Sequence, residues 1–181
     1  DYIIGAGGGS VLDSAKMIKL LITNNPKTAL TQPMEDNDIG FFAIPTTSGT
    51  GSEATRYSIF YVNDVEKHSI THSGFLPDLV LLDESFLTTV PPYQRRCTAM
   101  DALCHAIESY WNVKSNAESK EYAARAIKLF VQNKLGYIVN EPQANRGMLL
   151  ASYYAGKAIN ITSTTSAHAM CYNITINCNT A

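Results

Sequence analysis

Long apolar runs are missing from this chain of 181 residues: none approaches the roughly 20 residues that span a bilayer, and no basic-then-apolar leader opens it. An excess of charge is missing too, since 14 Lys and Arg stand against 16 Asp and Glu, for a net charge of −2. Without a basic stripe, the sequence argues against a nucleic-acid partner. Cysteine is sparse. The four, Cys97, Cys104, Cys171 and Cys178, lie far apart with no C-x-x-C, which speaks against a zinc knuckle or a dense disulfide framework and fits a reducing cytoplasm. Two Asn-x-Thr triplets, at Asn160 and Asn173, would matter only in a secreted chain and are read as chance.

What is present describes an ordinary soluble protein. With 45% hydrophobic and 17% charged residues, there is enough chain for a sizeable core in one large or two small domains. The chain opens on "DYIIGAGGGS", whose first residues read as the tail of a buried strand, and ends on "NCNTA" with no stop signal. Both ends suggest a piece of a longer protein.

Along the chain, "YIIG" at 2–5 predicts a strand, the glycines after it a tight turn, and "SVLDSAKMIKLLI" a helix with Val11, Leu12, Ala15, Met17, Ile18 and Leu21 at helical spacing. Residues 24–40 are polar and loop-like. "FFAIP" predicts a second strand leading into the hydroxyl-rich run "TTSGTGSEAT", "YSIFYVNDVEKHSIT" at 57–71 a hairpin, and "DLVLLD" at 78–83 a further buried strand. From Val90 onward three long stretches carry helical periodicity, and Pro91 and Pro92 mark the boundary. The expectation is an α/β part over 1–89 followed by an all-helical part over 90–181.

Three features carry chemistry. In "GAGGGSVLDSAK", consecutive glycines at a strand-to-helix turn let backbone approach a ligand, and the amides opening the helix favour an anion. The spacing is neither a Walker loop nor G-x-G-x-x-G, so an unliganded βα turn is an equal reading of this stretch alone. In "PTTSGTGSEAT", the hydroxyls of Thr46, Thr47, Ser48, Thr50 and Ser52, spaced by Gly49 and Gly51, suit phosphate or ribose oxygens, in the position after a strand where open α/β sheets bind ligands. The third feature is the helix "AMDALCHAIESYW" at 99–111. At 100° per residue Asp101, His105, Glu108 and Asn112 form a stripe about 60° wide, opposite Met100, Leu103, Ala106, Ile107, Tyr110 and Trp111. Geometry alone favours a solvated surface stripe. Asp101 and His105 also suit two metal ligands, and a distant His168, in "TSTTSAHAMCYNI", would complete a mixed oxygen and nitrogen set, although a lone histidine there is more often a core or cap residue.

Together these stretches resemble the iron-containing (group III) alcohol dehydrogenase family: "GGGSVLDSAK" is similar to its pyrophosphate motif, "IPTTSGTGSEAT" to its second cofactor segment, and "AMDALCHAIESY" to the helix carrying its first two metal ligands. The resemblance covers essentially the whole chain but about half of a family member. It implies a dehydroquinate synthase-like plan, with a partial Rossmann-like nucleotide-binding part over 1–89, an all-helical metal-binding part over 90–181, and a cleft between them. Gly8, Gly9 and Ser10 would hold the cofactor pyrophosphate with Asp13 nearby, Thr46, Thr47 and Ser52 would line the cofactor site, and Lys67 would reach the ribose. Asp101, His105 and His168 would be three of four metal ligands; the fourth, a histidine about fourteen residues past His168, would fall at 182, just beyond Ala181. Where many members carry a second histidine for proton relay, this chain has Tyr172. Either Tyr172 or a water or ribose hydroxyl would take that role.

The implied activity is metal-dependent hydride transfer between NAD or NADP and a small aldehyde or alcohol, in a cytoplasmic, homo-oligomeric (dimeric) full-length protein. "ESYWNVKSNAES" and "AINITSTTSAHAMCY" resemble the branch that reduces phosphonoacetaldehyde. The residues that choose NAD over NADP would lie upstream of Asp1, and imidazole with carboxylate accepts Fe(II), the family's metal, or Zn, Ni or Co. The alternatives are a dehydroquinate synthase-like lyase and a non-catalytic remnant. The isolated 181 residues are expected to turn over weakly or not at all.

Overall fold

A computed structural model describes residues 1–29, 31–62 and 66–178, with backbone alone at 61, 62, 66, 172, 173 and 175–178. Two compact units are present: Asp1–Thr46 with Ser52–Asp83, and Thr47–Gly51 with Glu84 onward. The division falls at 83/84, where the sequence places it at 89/90, and the loop Thr47–Gly51 groups with the helices.

In the first unit, β1 (Tyr2–Gly7) runs into α1 (Gly9–Leu21), which returns the chain to β2 (Gly40–Pro45). β1 and β2 pair in parallel from Tyr2↔Gly40 to Gly7↔Pro45. Gly5 lets α1 lie close on the sheet, since a Cβ there would stand 3.0 Å from the Ala15 Cβ. Leu12 and Ala15 of α1 meet Phe41 and Ala43 of β2 in the core, with Ile3 and Val80 packed against them. The hairpin is formed by β3 (Tyr57–Val62) and β4 (Glu66–Thr71).

Two expectations change here. The strand at 78–83 shrinks to β5 (Leu79–Val80), paired with β2 through two residues. Leu79 and Leu81 are exposed rather than buried, because the segment forms one edge of the sheet β1-β2-β5. On α1, Val11 and Ile18 face outward while Lys16 and Lys19 are buried. The lysines can be buried because each has acceptors waiting. Lys16 Nζ donates to Ser52 Oγ at 2.8 Å and to the Tyr57 carbonyl at 2.6 Å, and Lys19 Nζ to Asp36 at 2.8 Å.

The second unit is helical: α2 (Pro92–Trp111), α3 (Ala117–Ile138), α4 (Pro142–Thr162) and α5 (Ser166–Cys178). Proline opens α2 and α4, where a missing amide costs nothing. Asn116 and Ser119 close a capping box at the start of α3. α2, α3 and α4 pack on one another through alanines, with Ala106, Ala126 and Ala155 fully buried at their meeting point. Small side chains let the three helices approach closely. Among the described residues no helix is long and apolar enough to cross a membrane.

Candidate functional site

Helix α2 turns its polar stripe inward. His105 and Glu108 are buried and Asp101 is half-buried, whereas Met100 and Trp111 on the apolar side are 51% and 67% exposed. The solvated stripe that helix geometry alone favours is therefore overturned, because the remainder of the unit supplies polar partners for it.

Those partners come from α5. His168 Nε2 lies 3.3 Å from Asp101 Oδ1, and His105 Nε2 lies 3.7 Å from the same oxygen. The two imidazoles stack at 4.5 Å between ring centroids, 16° apart in plane. One donor atom from each of Asp101, His105 and His168 falls within 4.8 Å of the others. Ligand atoms around a first-row divalent ion, each at ~2.0–2.2 Å from it, sit roughly 3–3.5 Å from one another. The donor types suit such an ion, and Asp101 Oδ1 stands 3.3 and 3.7 Å from the two imidazole nitrogens, close to that range.

The other side of each ring is also arranged. Glu108 Oε1 stands 2.5 Å from His168 Nδ1, and Glu108 Oε2 accepts from the Thr165 amide and hydroxyl, each at 2.6 Å. The Gly49 backbone acts on the buried His105 ring, although Nδ1 makes no well-formed hydrogen bond among the described residues. Burial opposes ionisation of Asp101, yet His105 and His168 outweigh it and hold this carboxyl below the usual range. Glu108 is likewise held low, against burial, by Thr165 and His168. Burial lowers His105, while Asp101 and Glu108 overcome burial to raise His168. A buried carboxylate on Nδ1 is the arrangement that orients a ligating histidine.

In the first unit the glycine turn meets the end of β2. The Thr46 amide donates to the Gly7 carbonyl at 3.0 Å, setting Thr46 at the start of the glycine turn. Gly8 precedes α1 in extended conformation with no side-chain cap, and its carbonyl accepts from the Val11 and Leu12 amides, each at 3.1 Å. Asp13 and Ser52 are buried and bonded to each other at 2.5 Å, with Lys16 3.3 Å from Asp13 and the Ile59 amide 3.0 Å from it. Lys67 stands on β4 opposite Tyr61. In the second unit Thr47 is half-buried, and it opens a loop whose Ser48, Gly49 and Gly51 are buried. The Tyr172 side chain lies outside the described residues.

Sequence reasoning passed over Lys16, although it ends the quoted "DSAK", and Thr165, which anchors Glu108. A lysine three residues after an aspartate on one helix face was the signal for the first; the second had none.

Comparison with known proteins decides the kinship. Residues 1–84 match the family described as iron-containing alcohol dehydrogenase, and residues 96–181 match the family's C-terminal part. The chain belongs to the iron-containing alcohol dehydrogenase family. Among curated family members, it is 34% identical over 180 residues to long-chain-alcohol dehydrogenase 1 of Geobacillus thermodenitrificans, covering 95% of this chain and 45% of that protein. It is 31% identical over 180 residues to the NADPH-dependent butanol dehydrogenase of Clostridium saccharobutylicum, covering 95% and 46%. Among solved structures, sulfoacetaldehyde reductase from Bifidobacterium kashiwanohense in complex with NAD+ superposes with a TM-score of 0.90 at 30% identity, covering 96% of this chain and 48% of that one. The chain thus spans about half the length of the family members it matches.

Proposed function

We propose that the whole protein is a metal-dependent, NAD(P)-linked alcohol dehydrogenase or aldehyde reductase. The observation that carries this reading is the convergence of Asp101 Oδ1, His105 Nε2 and His168 Nε2 inside a helical unit of the iron-containing family. These three residues would hold the metal, Fe(II) first and Zn, Ni or Co as donors permit. Bound there, a divalent ion supplies Lewis acidity toward a carbonyl or alkoxide oxygen.

The chain's own residues do the rest. Glu108 holds the proton on His168 Nδ1 and so presents Nε2 toward Asp101. Burial of His105 and His168 keeps bulk water from the two imidazole donors, which strengthens their electrostatic effect. Gly8, Gly9 and Ser10 would hold the cofactor pyrophosphate at the start of α1, with Asp13 nearby, and Thr46, Thr47, Ser52 and Lys67 would contribute to cofactor binding. Tyr172, or a water or ribose hydroxyl, would relay the alcohol proton, and a bound nicotinamide would supply or accept the hydride.

For substrate, the phosphonoacetaldehyde-like reading of the sequence is supported by a structural neighbour named for sulfoacetaldehyde, since both are two-carbon aldehydes with an anionic group on the carbon next to the carbonyl. The dehydroquinate synthase-like plan, a cytoplasmic setting and a homodimer complete the proposal. The test is NAD(P)H oxidation by the full-length, metal-loaded protein with phosphonoacetaldehyde, sulfoacetaldehyde, butanal and a long-chain aldehyde. Oxidation with at least one of these is expected, fastest with the anionic pair. Turnover of a substrate with no net change in NAD(P)H would favour the lyase reading instead.

A further inference from the structure

The loop Thr47–Gly51 is built on the helical unit, and its seat is the same face of α2 that carries Asp101 and His105. Gly49 lies against Thr98, one turn before Asp101: a Cβ on Gly49 would stand 2.8 Å from the Thr98 Cβ and 2.9 Å from its Cα. Residues 98, 101, 105 and 108 succeed one another at three- and four-residue steps, so the loop and the candidate ligands share one face of one helix.

A second hold comes from α3. The Ser48 hydroxyl, fully buried, donates to the Tyr137 phenol oxygen at 2.6 Å. Tyr137 is itself fully buried and doubly gripped by Arg95. The guanidinium carbon sits 4.5 Å from the centre of the Tyr137 ring, and Arg95 Nη1 donates to the Tyr137 carbonyl at 3.1 Å. Arg95 is held in turn by Asn145 at 2.6 Å, Asn140 at 2.8 Å and the Leu87 carbonyl. A guanidinium with this many fixed acceptors has little freedom, and neither has the phenol stacked under it. One hydrogen bond then transmits that rigidity to the loop.

We propose that Tyr137, clamped by Arg95, is a positioning residue that holds the loop Thr47–Gly51 in the conformation that receives the nicotinamide cofactor. The proposal rests on the reading of this loop as part of the cofactor site. Tyr137 touches neither cofactor nor substrate; it acts through Ser48 on the neighbouring Thr47. Preorganising the loop spares the cofactor the cost of ordering it, so the effect falls on cofactor affinity rather than on metal retention.

The test uses the full-length protein with Tyr137→Phe, Ser48→Ala and the pair combined. Two readouts are taken: amide hydrogen exchange across residues 47–51 without cofactor, and the Kd of NADH and NADPH from fluorescence, with metal content measured alongside. The expected result is faster exchange confined to the loop and a Kd raised roughly five- to tenfold in each single variant, the scale of one lost hydrogen bond. The double variant should be no worse than the singles, because both remove one interaction, and metal content should not change. Unchanged loop exchange would overturn the proposal, as would faster exchange with an unchanged Kd, which would make the bond purely structural. Wild-type protein that binds neither cofactor, while the loop still loosens on Tyr137→Phe, would show that the cofactor reading had failed and take the positioning role with it.

Discussion

Glu108 Oε1 lies 2.5 Å from His168 Nδ1, joining α2 to α5 behind the two imidazoles. The same carboxylate takes two further hydrogen bonds from Thr165, so it is fixed before it fixes the histidine. Glu108→Gln keeps the size but replaces an anionic acceptor with a neutral amide. Metal affinity should fall about 10–100-fold, the usual effect of losing a carboxylate behind a ligating histidine. Competition with a chelator of known affinity measures it, and an affinity equal to wild type would show that Glu108 only caps the segment before α5.

Gly51 occupies a left-handed conformation, φ +61°, and a Cβ there would stand 2.6 Å from the Gly156 Cα on α4. Gly51→Ala meets both strain and collision, and should destabilise the protein by about 2 kcal/mol or more. Urea unfolding checks the magnitude. A variant as stable as wild type would mean that the loop moves off α4 without penalty.

Glu53 is buried with an oxygen that finds no partner among the described residues, and burial pushes its pKa up to about 7 against the pull of its own amide and of Lys16. The native state therefore holds a proton that the unfolded chain gives up near pH 4.5. Stability contributed by that proton is complete below this pH and is lost as pH rises toward 7. Glu53→Gln removes the dependence and should exceed wild type at pH 8 by about 3 kcal/mol at most, with little difference at pH 4. Denaturant titrations at both pH values decide it; an advantage at pH 4 instead would reverse the sign and defeat the account.

The 181-residue chain carries three converging donors and no fourth among its described residues. Purified alone and loaded with metal, it should reduce small aldehydes weakly or not at all beside the full-length protein. Metal-dependent turnover by the short chain at a comparable rate would contradict this.

Local signals made much of the fold legible. Strand, glycine turn and helix at 2–21, the hairpin at 57–71 and the long helices after Pro91 arise from periodicity, turn residues and caps, all read within a few neighbours. Features that depend on distant partners were not legible. Lys16 and Lys19 are inside because Ser52, Tyr57 and Asp36 wait for them. β5 is short and exposed because strand pairing, not composition, decides its length. Ser48 and Tyr137 are 89 residues apart.

The candidate site divides in the same way. Asp101, His105 and His168 could be named from motif resemblance, but the helix pattern alone sent their stripe to solvent. Only the arrival of α5 reverses that, and no residue within α2 announces it.

The most direct test of the central claim is elemental analysis of the full-length protein, wild type beside His168→Ala, as purified and after reloading with Fe(II) or Zn. About one divalent ion per chain in the wild type, lost in the variant, is the predicted result for a site of this donor type. Negligible metal in both proteins, even after reloading, would contradict it and leave Asp101, His105 and His168 as a buried hydrogen-bonded cluster with no ion to hold.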